Sequence, residues 1–256
     1  MRLLALLCLM LLTAMPAMAL DPPHTGVVVM HGKWGNPGGM RPLCDELEAA
    51  GFLVEAPEMA WSGRRLYDRP YEESLTEIDA AILRLKQKGA SHVVVAGHSL
   101  GGNAALGYSA LGREVAALVL LAPAHSPEGK WFRERAASDV AKARALVAEG
   151  KGAETAYFTS WNSGDRSRSV SVGATAFLSF YDPEGPAAMS RLAPKVGAAP
   201  ILWLAPTTDP TTEGFARNVW PQVQAENKTR LDIAADHMGV VMAGRVKLVE
   251  WLKGLQ

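Results

Sequence analysis

The chain has 256 residues, 48% hydrophobic and 20% charged, with 26 basic side chains against 26 acidic ones. That length and balance fit one globular domain with a full core and room for one insertion, and they exclude a disordered or fibrous chain. The cancelling charges and the lack of any Lys/Arg-rich block leave no electrostatic footprint for nucleic acid or an anionic membrane, so the expected partner is a small molecule.

Residues 1–19 start Met1-Arg2, continue through an almost wholly apolar run over 3–12, and close on Ala17-Met18-Ala19. A short positive start, an apolar stretch and small residues before a break make a secretory signal peptide, so the mature chain is expected to run over 20–256 and to be exported, periplasmic or secreted. The apolar run falls short of the ~20 residues that span a bilayer, and Pro16 interrupts it, so no stable membrane span is expected in the mature chain. Cys8 leaves with the signal. Cys44 is then the one mature cysteine, expected to fill space in a helix's core face.

From Gly26 onward, apolar β-branched runs over 27–30, 52–56, 92–96, 115–121, 201–205 and 231–234 alternate with helical spacing over 40–50, 71–88, 100–112, 213–225 and 240–255. The runs are apolar throughout rather than at every second residue, which marks strands buried on both faces. The alternation predicts an α/β fold: a mostly parallel sheet of about six strands flanked by helices, with its site outside the carboxyl ends of the strands. One stretch, 126–200, breaks the pattern. It carries a predicted helix over 131–148, then an aromatic-bearing segment with Tyr157, Phe158, Trp161, Phe177, Phe180 and Tyr181, and is expected to form a lid over the site.

The chemistry concentrates in Gly97-His98-Ser99-Leu100-Gly101, directly after the third predicted strand and directly before a helical segment. A sharp strand-to-helix turn pushes such a serine out of the sheet, and Leu100 N–H sits at a helix start, where unpaired donors point at the nucleophile. A serine needs a base within hydrogen-bond reach, itself oriented by a carboxylate. Of the six histidines, His125 and His237 follow Ser99. There is no His-Glu-x-x-His or Cys-x-x-Cys metal motif and no phosphate-binding loop, so no metal or other cofactor is expected.

With this elbow, and with Met30-His31-Gly32-Lys33-Trp34-Gly35 closing the first strand, the chain resembles the α/β-hydrolase family over nearly all of its mature length. The resemblance implies that Lys33 supplies one backbone N–H of an oxyanion hole, with Trp34 as the alternative, and that Leu100 supplies the other. It implies His237, after the last strand, as the base, and Asp209, after the fifth, as the acid. Asp236 is the rival acid, but it adjoins His237 in sequence. His125 then reads as a lining residue near the cavity mouth, and Trp34 as a pocket candidate beside Trp61. Two features depart from the family: the opening antiparallel hairpin is missing, and no glycine stands two residues before Asp209. The implied activity is hydrolysis of a carboxylic ester by a Ser-His-Asp triad through an acyl-enzyme. A thioesterase or amidase with the same triad, a cofactor-free peroxidase, and a non-catalytic binding protein on the same scaffold are the alternatives.

Overall fold

The protein is described by a computed structural model over residues 20–162 and 164–255. The expected signal peptide at 1–19 lies outside the described residues. In chain order the elements are β1 (Thr25–Met30), α1 (Arg41–Ala49), β2 (Leu53–Glu55), α2 (Tyr71–Gln87), β3 (His92–His98), α3 (Leu100–Ala110) and β4 (Ala117–Leu121). Then come α4 (Lys130–Ala148), β5 (Thr155–Asn162), β6 (Arg166–Gly173), α5 (Ala174–Tyr181) and α6 (Met189–Leu192). The chain closes with β7 (Ile201–Pro206), α7 (Thr211–Asn218), β8 (Lys228–Ile233) and α8 (Val240–Lys253).

Six strands form one sheet in the order β2-β1-β3-β4-β7-β8, and every neighbouring pair is parallel. The unbroken apolar runs follow from the two-residue period of a strand. Val28, Val95, Leu118 and Trp203 face one hydrophobic layer, while Val27, Val94, Val119 and Leu202 face the other. The first layer holds α2, α3 and the insertion's apolar side chains; the second holds α1 and α8, with Cys44 among its buried residues. Burial pushes the Cys44 thiol up to about 11, so it is an inert space-filler.

Two predicted boundaries move. β8 begins at Lys228, because Ile201 pairs with Lys228 and Trp203 with Arg230 along the sheet edge, where polar side chains reach water and break the apolar signal. Those charges also discourage edge-to-edge association. The helix expected over 213–225 ends at Asn218 and gives way to a short 3-10 turn at Trp220–Gln222, since Pro221 cannot donate within a helix.

The 126–200 stretch is more ordered than its sequence suggested. β5 and β6 form an antiparallel hairpin, and Phe158, Phe177 and Tyr181 stack in a column with centroids 4.4 and 4.6 Å apart, fixing the hairpin to α5. Most of the insertion's aromatics are therefore packing residues. Asn103, buried on α3, joins the insertion to the sheet: its amide donates to the carbonyls of His125 and Ala187, each at 2.8 Å, and its Oδ1 accepts from Tyr71 Oη at 2.6 Å. Among the described residues no helix is long and apolar enough to cross a membrane.

Removing that amide leaves buried polar groups without partners. Asn103→Ala is expected to lower the unfolding free energy by about 3 kcal/mol in urea titration; a loss below about 0.5 kcal/mol would show that these bonds contribute nothing net.

Candidate active site

The elbow between β3 and α3 rests on backbone contact. A Cβ on Gly97 would lie 2.1 Å from the carbonyl oxygen of Gly101, so no other residue fits. Ser99 adopts φ +56° and ψ −117°, a conformation that costs an L-residue of order 1–3 kcal/mol and persists only where its surroundings enforce it. Here Ser99 N–H donates to Leu121 C=O (2.9 Å), and its own carbonyl accepts from Gly102, Asn103 and Ala124.

Ser99, His237 and Asp209, singled out in the sequence from three separate segments, meet in one chain of hydrogen bonds. Ser99 Oγ is 2.9 Å from His237 Nε2, and His237 Nδ1 is 2.6 Å from Asp209 Oδ2. Asp209 is buried and also accepts from Thr211 N–H (2.9 Å) and Thr211 Oγ1 (2.7 Å). Burial by itself raises a carboxyl's pKa, but the bonds from His237 and Thr211 outweigh it and hold Asp209 below its ordinary value. A glycine before the acid is unnecessary, because Thr207 and Thr208 N–H donate to the carbonyls of Ile233 and Ala235 and tie the turn to the end of β8. The rival Asp236 is occupied locally, its Oδ1 accepting from Met238 and Gly239 N–H ahead of α8.

The His-Gly loop lies against the elbow. A Cβ on Gly32 would sit 3.0 Å from Ser99 Cβ and 3.1 Å from His98 Nδ1. His31 holds the loop: its Nδ1 bonds Gly32 C=O at 2.8 Å, its Nε2 accepts from Met59 N–H, and its carbonyl accepts from Trp61 Nε1 at 2.8 Å. Among the described residues the backbone N–H groups of Lys33 and Leu100 donate to no backbone carbonyl, whereas Trp34 N–H is taken by Trp61 C=O at 2.9 Å. Trp34 is thereby removed as the alternative donor.

Trp34 is also not a pocket residue, contrary to the sequence reading. Its Nε1 donates to Ser160 Oγ (3.1 Å), and the Arg168 guanidinium covers its ring at 4.9 Å, turning the indole into a brace between loop and hairpin. Trp61 is fully buried in the core. The Lys33 side chain does not reach water either. It runs inward beneath the insertion, where Nζ donates to Trp161 C=O (2.5 Å) and Tyr181 Oη (3.3 Å), and burial pushes its pKa well below the usual lysine value.

Ser99, His237, Lys33, His125, Trp131 and Phe132 line a common cavity of about 560 Å³. His125 is buried and lines the cavity. Glu128, Phe215 and Val219 line the cavity as well and were not singled out by sequence; nothing local distinguishes them, since the folding of the insertion and α7 over the sheet brings them there. Burial raises the Glu128 carboxyl above its ordinary value. Among the described residues no group of three or more His, Cys, Asp or Glu side chains is arranged to hold a metal ion.

The family described as serine aminopeptidase, S33 matches residues 21–168, more than half of the chain. The chain belongs to this family of α/β-hydrolases. Solved structures share the fold. The monoacylglycerol lipase of Paleococcus ferrophilus superposes with a TM-score of 0.64 at 22% identity, over 92% of this chain and 96% of that one. A thermostable carboxyl esterase of Bacillus coagulans gives 0.68 at 15% identity, over 93% and 92%. The thioesterase domain from the curacin biosynthetic pathway gives 0.59 at 15%, over 91% and 92%. No curated protein matches the sequence.

In this α/β-hydrolase the elbow's second residue has a structural task of its own. His98 Nε2 donates to His237 C=O at 2.7 Å, and the two rings lie 4.9 Å apart. Burial, reinforced by the neighbouring His237, drives His98 down from 6.5 to about 4. His31 and His125 are lowered as well, chiefly by burial. Between pH 6.5 and about 4 the unfolded chain therefore takes up protons that folded His98 refuses, and stability falls as pH falls through that window. For His98 alone the loss is roughly 3 kcal/mol. His98→Gln, which retains an N–H for the His237 carbonyl, is expected to flatten the fall in unfolding free energy between pH 7 and pH 4 by about that amount; an unchanged slope would mean that His98 takes up its proton at the same pH in the folded and the unfolded chain.

Proposed function

We propose that the protein is a serine hydrolase acting on carboxylic esters. The observation that carries the reading is the continuous chain Asp209–His237–Ser99 on the wall of a cavity, with two backbone N–H groups, of Lys33 and Leu100, that donate to no backbone carbonyl among the described residues. Ser99 Oγ attacks the ester carbonyl while His237 Nε2 takes its proton. Asp209 holds the imidazole through Nδ1–H and stabilises the imidazolium. Lys33 and Leu100 N–H stabilise the oxyanion, a term of ~10²–10³ in rate for a single donor in comparable hydrolases. His237 returns the proton to the departing alkoxide, the alcohol leaves, and the ester carbon remains on Ser99 as an acyl-enzyme. Water, deprotonated by His237, then releases the acid. On this reading residues 1–19 direct the enzyme out of the cytoplasm.

A second reading keeps the triad and changes the leaving group. Glu128 lines the same cavity, and the matched family is described as an aminopeptidase, so the amine of an aminoacyl amide is the competing ligand.

The purified protein is expected to release p-nitrophenol from acetate, butyrate and longer acyl esters, and to take a fluorophosphonate label on Ser99. Ser99→Ala abolishes both, and Asp209→Asn lowers kcat by about 10⁴ because the imidazole loses its orienting acceptor. Turnover of aminoacyl p-nitroanilides faster than of the esters, lost in Glu128→Gln, would favour the second reading. Absence of both turnover and label would move the protein to the binding class.

A further inference from the structure

Lys33 and His125 form a buried polar pair on the cavity wall that the triad does not use. Both lie against the same two rings. Lys33 Nζ is 4.7 Å from the centroid of Phe132 and 5.1 Å from that of Tyr181, and the His125 ring is 5.0 and 5.3 Å from them. Both residues also line the cavity that holds Ser99 and His237.

Their remaining hydrogen-bonding capacity is complementary. Lys33 Nζ bonds one carbonyl and one phenol; as an ammonium it donates to both, as a neutral amine it accepts from the phenol, and in either state one proton is left to donate. Among the described residues no carboxylate pairs with it. His125 Nε2 is 2.7 Å from Phe180 C=O. A carbonyl only accepts, so Nε2 carries the proton; the neutral ring then presents Nδ1 as a bare acceptor. That Nδ1 is buried and has no partner among the described residues. An unpaired donor and an unpaired acceptor in an aromatic box are costly in isolation, by about 1–3 kcal/mol each.

A hydroxyl group satisfies both with one oxygen, accepting from Lys33 and donating to His125. A carboxylate would turn its lone pairs toward the bare Nδ1, and an ammonium would meet the protons of Lys33. Position assigns the hydroxyl to one side of the ester. The alcohol must leave past His237, whose side chain is 19% exposed, whereas Lys33 and His125 are buried beneath the insertion. The part of the cavity beneath the insertion takes the acyl portion.

We propose that Lys33 and His125 form a hydroxyl-recognising subsite, so that the preferred substrates are esters of hydroxylated acids. The inference rests on the ester-hydrolase reading for which part of the ligand is acyl, and not for the binding itself.

The test is calorimetric affinity of the Ser99→Ala protein for the methyl esters of 3-, 4-, 5- and 6-hydroxyhexanoic acid against methyl hexanoate. At least one hydroxy isomer is expected to bind about tenfold or more tightly than the plain ester, because loss of the hydroxyl leaves the subsite unpaired again. Lys33→Met and His125→Asn in the same background should each bring that ratio close to one; Asn tolerates the φ of +73° at position 125. Circular dichroism and thermal midpoints establish that the variants are folded. A ratio near one for every isomer in the parent protein overturns the subsite, as does a preference that both variants retain. Turnover of p-nitrophenyl hexanoate by the wild type separates the two readings. Turnover without hydroxyl preference removes the subsite alone, and preference without turnover removes the hydrolase reading alone.

Discussion

Gly97 and Gly101 bring two stretches of backbone closer than any side chain permits, and the rest of the site is built outward from that contact. It forces the chain to turn from strand to helix within one residue, which holds Ser99 in its unusual conformation and lifts its hydroxyl clear of the sheet. The N-terminus of α3 then points its first free amide at the same space. Because β1, β4, β7 and β8 run parallel to β3, their carboxyl ends deliver the His-Gly loop, His125, Asp209 and His237 to the same edge of the sheet. One close backbone approach in a parallel sheet thus determines where five separate segments converge.

Burial around this point is selective. Asp209 is desolvated yet receives enough hydrogen bonds to stay ionised, while His98 and His31 are desolvated and stay neutral. Each neutral histidine positions backbone: His31 the loop that carries Gly32, and His98 the carbonyl of His237. The insertion adds a second hold on the His-Gly loop. Lys33 and Trp34 reach into it, to Trp161, Tyr181 and Ser160, and Ser160 Oγ joins Tyr67 and Tyr181 at 2.9 and 2.6 Å. The segment that covers the cavity therefore also braces the proposed oxyanion loop, and its aromatic column resists independent movement.

The positions of the six sheet strands along the chain and their mostly parallel pairing were legible because both faces of the sheet are buried, which leaves an unbroken apolar signature in each central strand; their order in the sheet was not. β8 was legible only at its second half, where Leu231 and Ile233 reach the core; at Lys228 and Arg230 the edge is wet and the signature disappears. The β5–β6 hairpin was missed because β6 reads Arg-Ser-Arg-Ser before Val170, a polar run that pairs with β5 through backbone and buries little of its own. The indole of Trp34 was misassigned because proximity in sequence to Gly32 says nothing about which way a side chain points once the hairpin arrives to receive it.

By itself the sequence determined the sheet and the elbow, since strand burial and turn geometry are local demands that must be written in residue types; His237 and Asp209 were named by resemblance to the family, and the structure brings both into one hydrogen-bonded chain with Ser99. Tertiary structure alone decided what the cavity is lined with. The inward course of Lys33, the bare nitrogen of His125 and the arrival of Glu128 and Phe215 each depend on a segment distant in the chain folding over the strand ends. A side chain's partners across such a distance are set by packing, and packing leaves no periodicity to read.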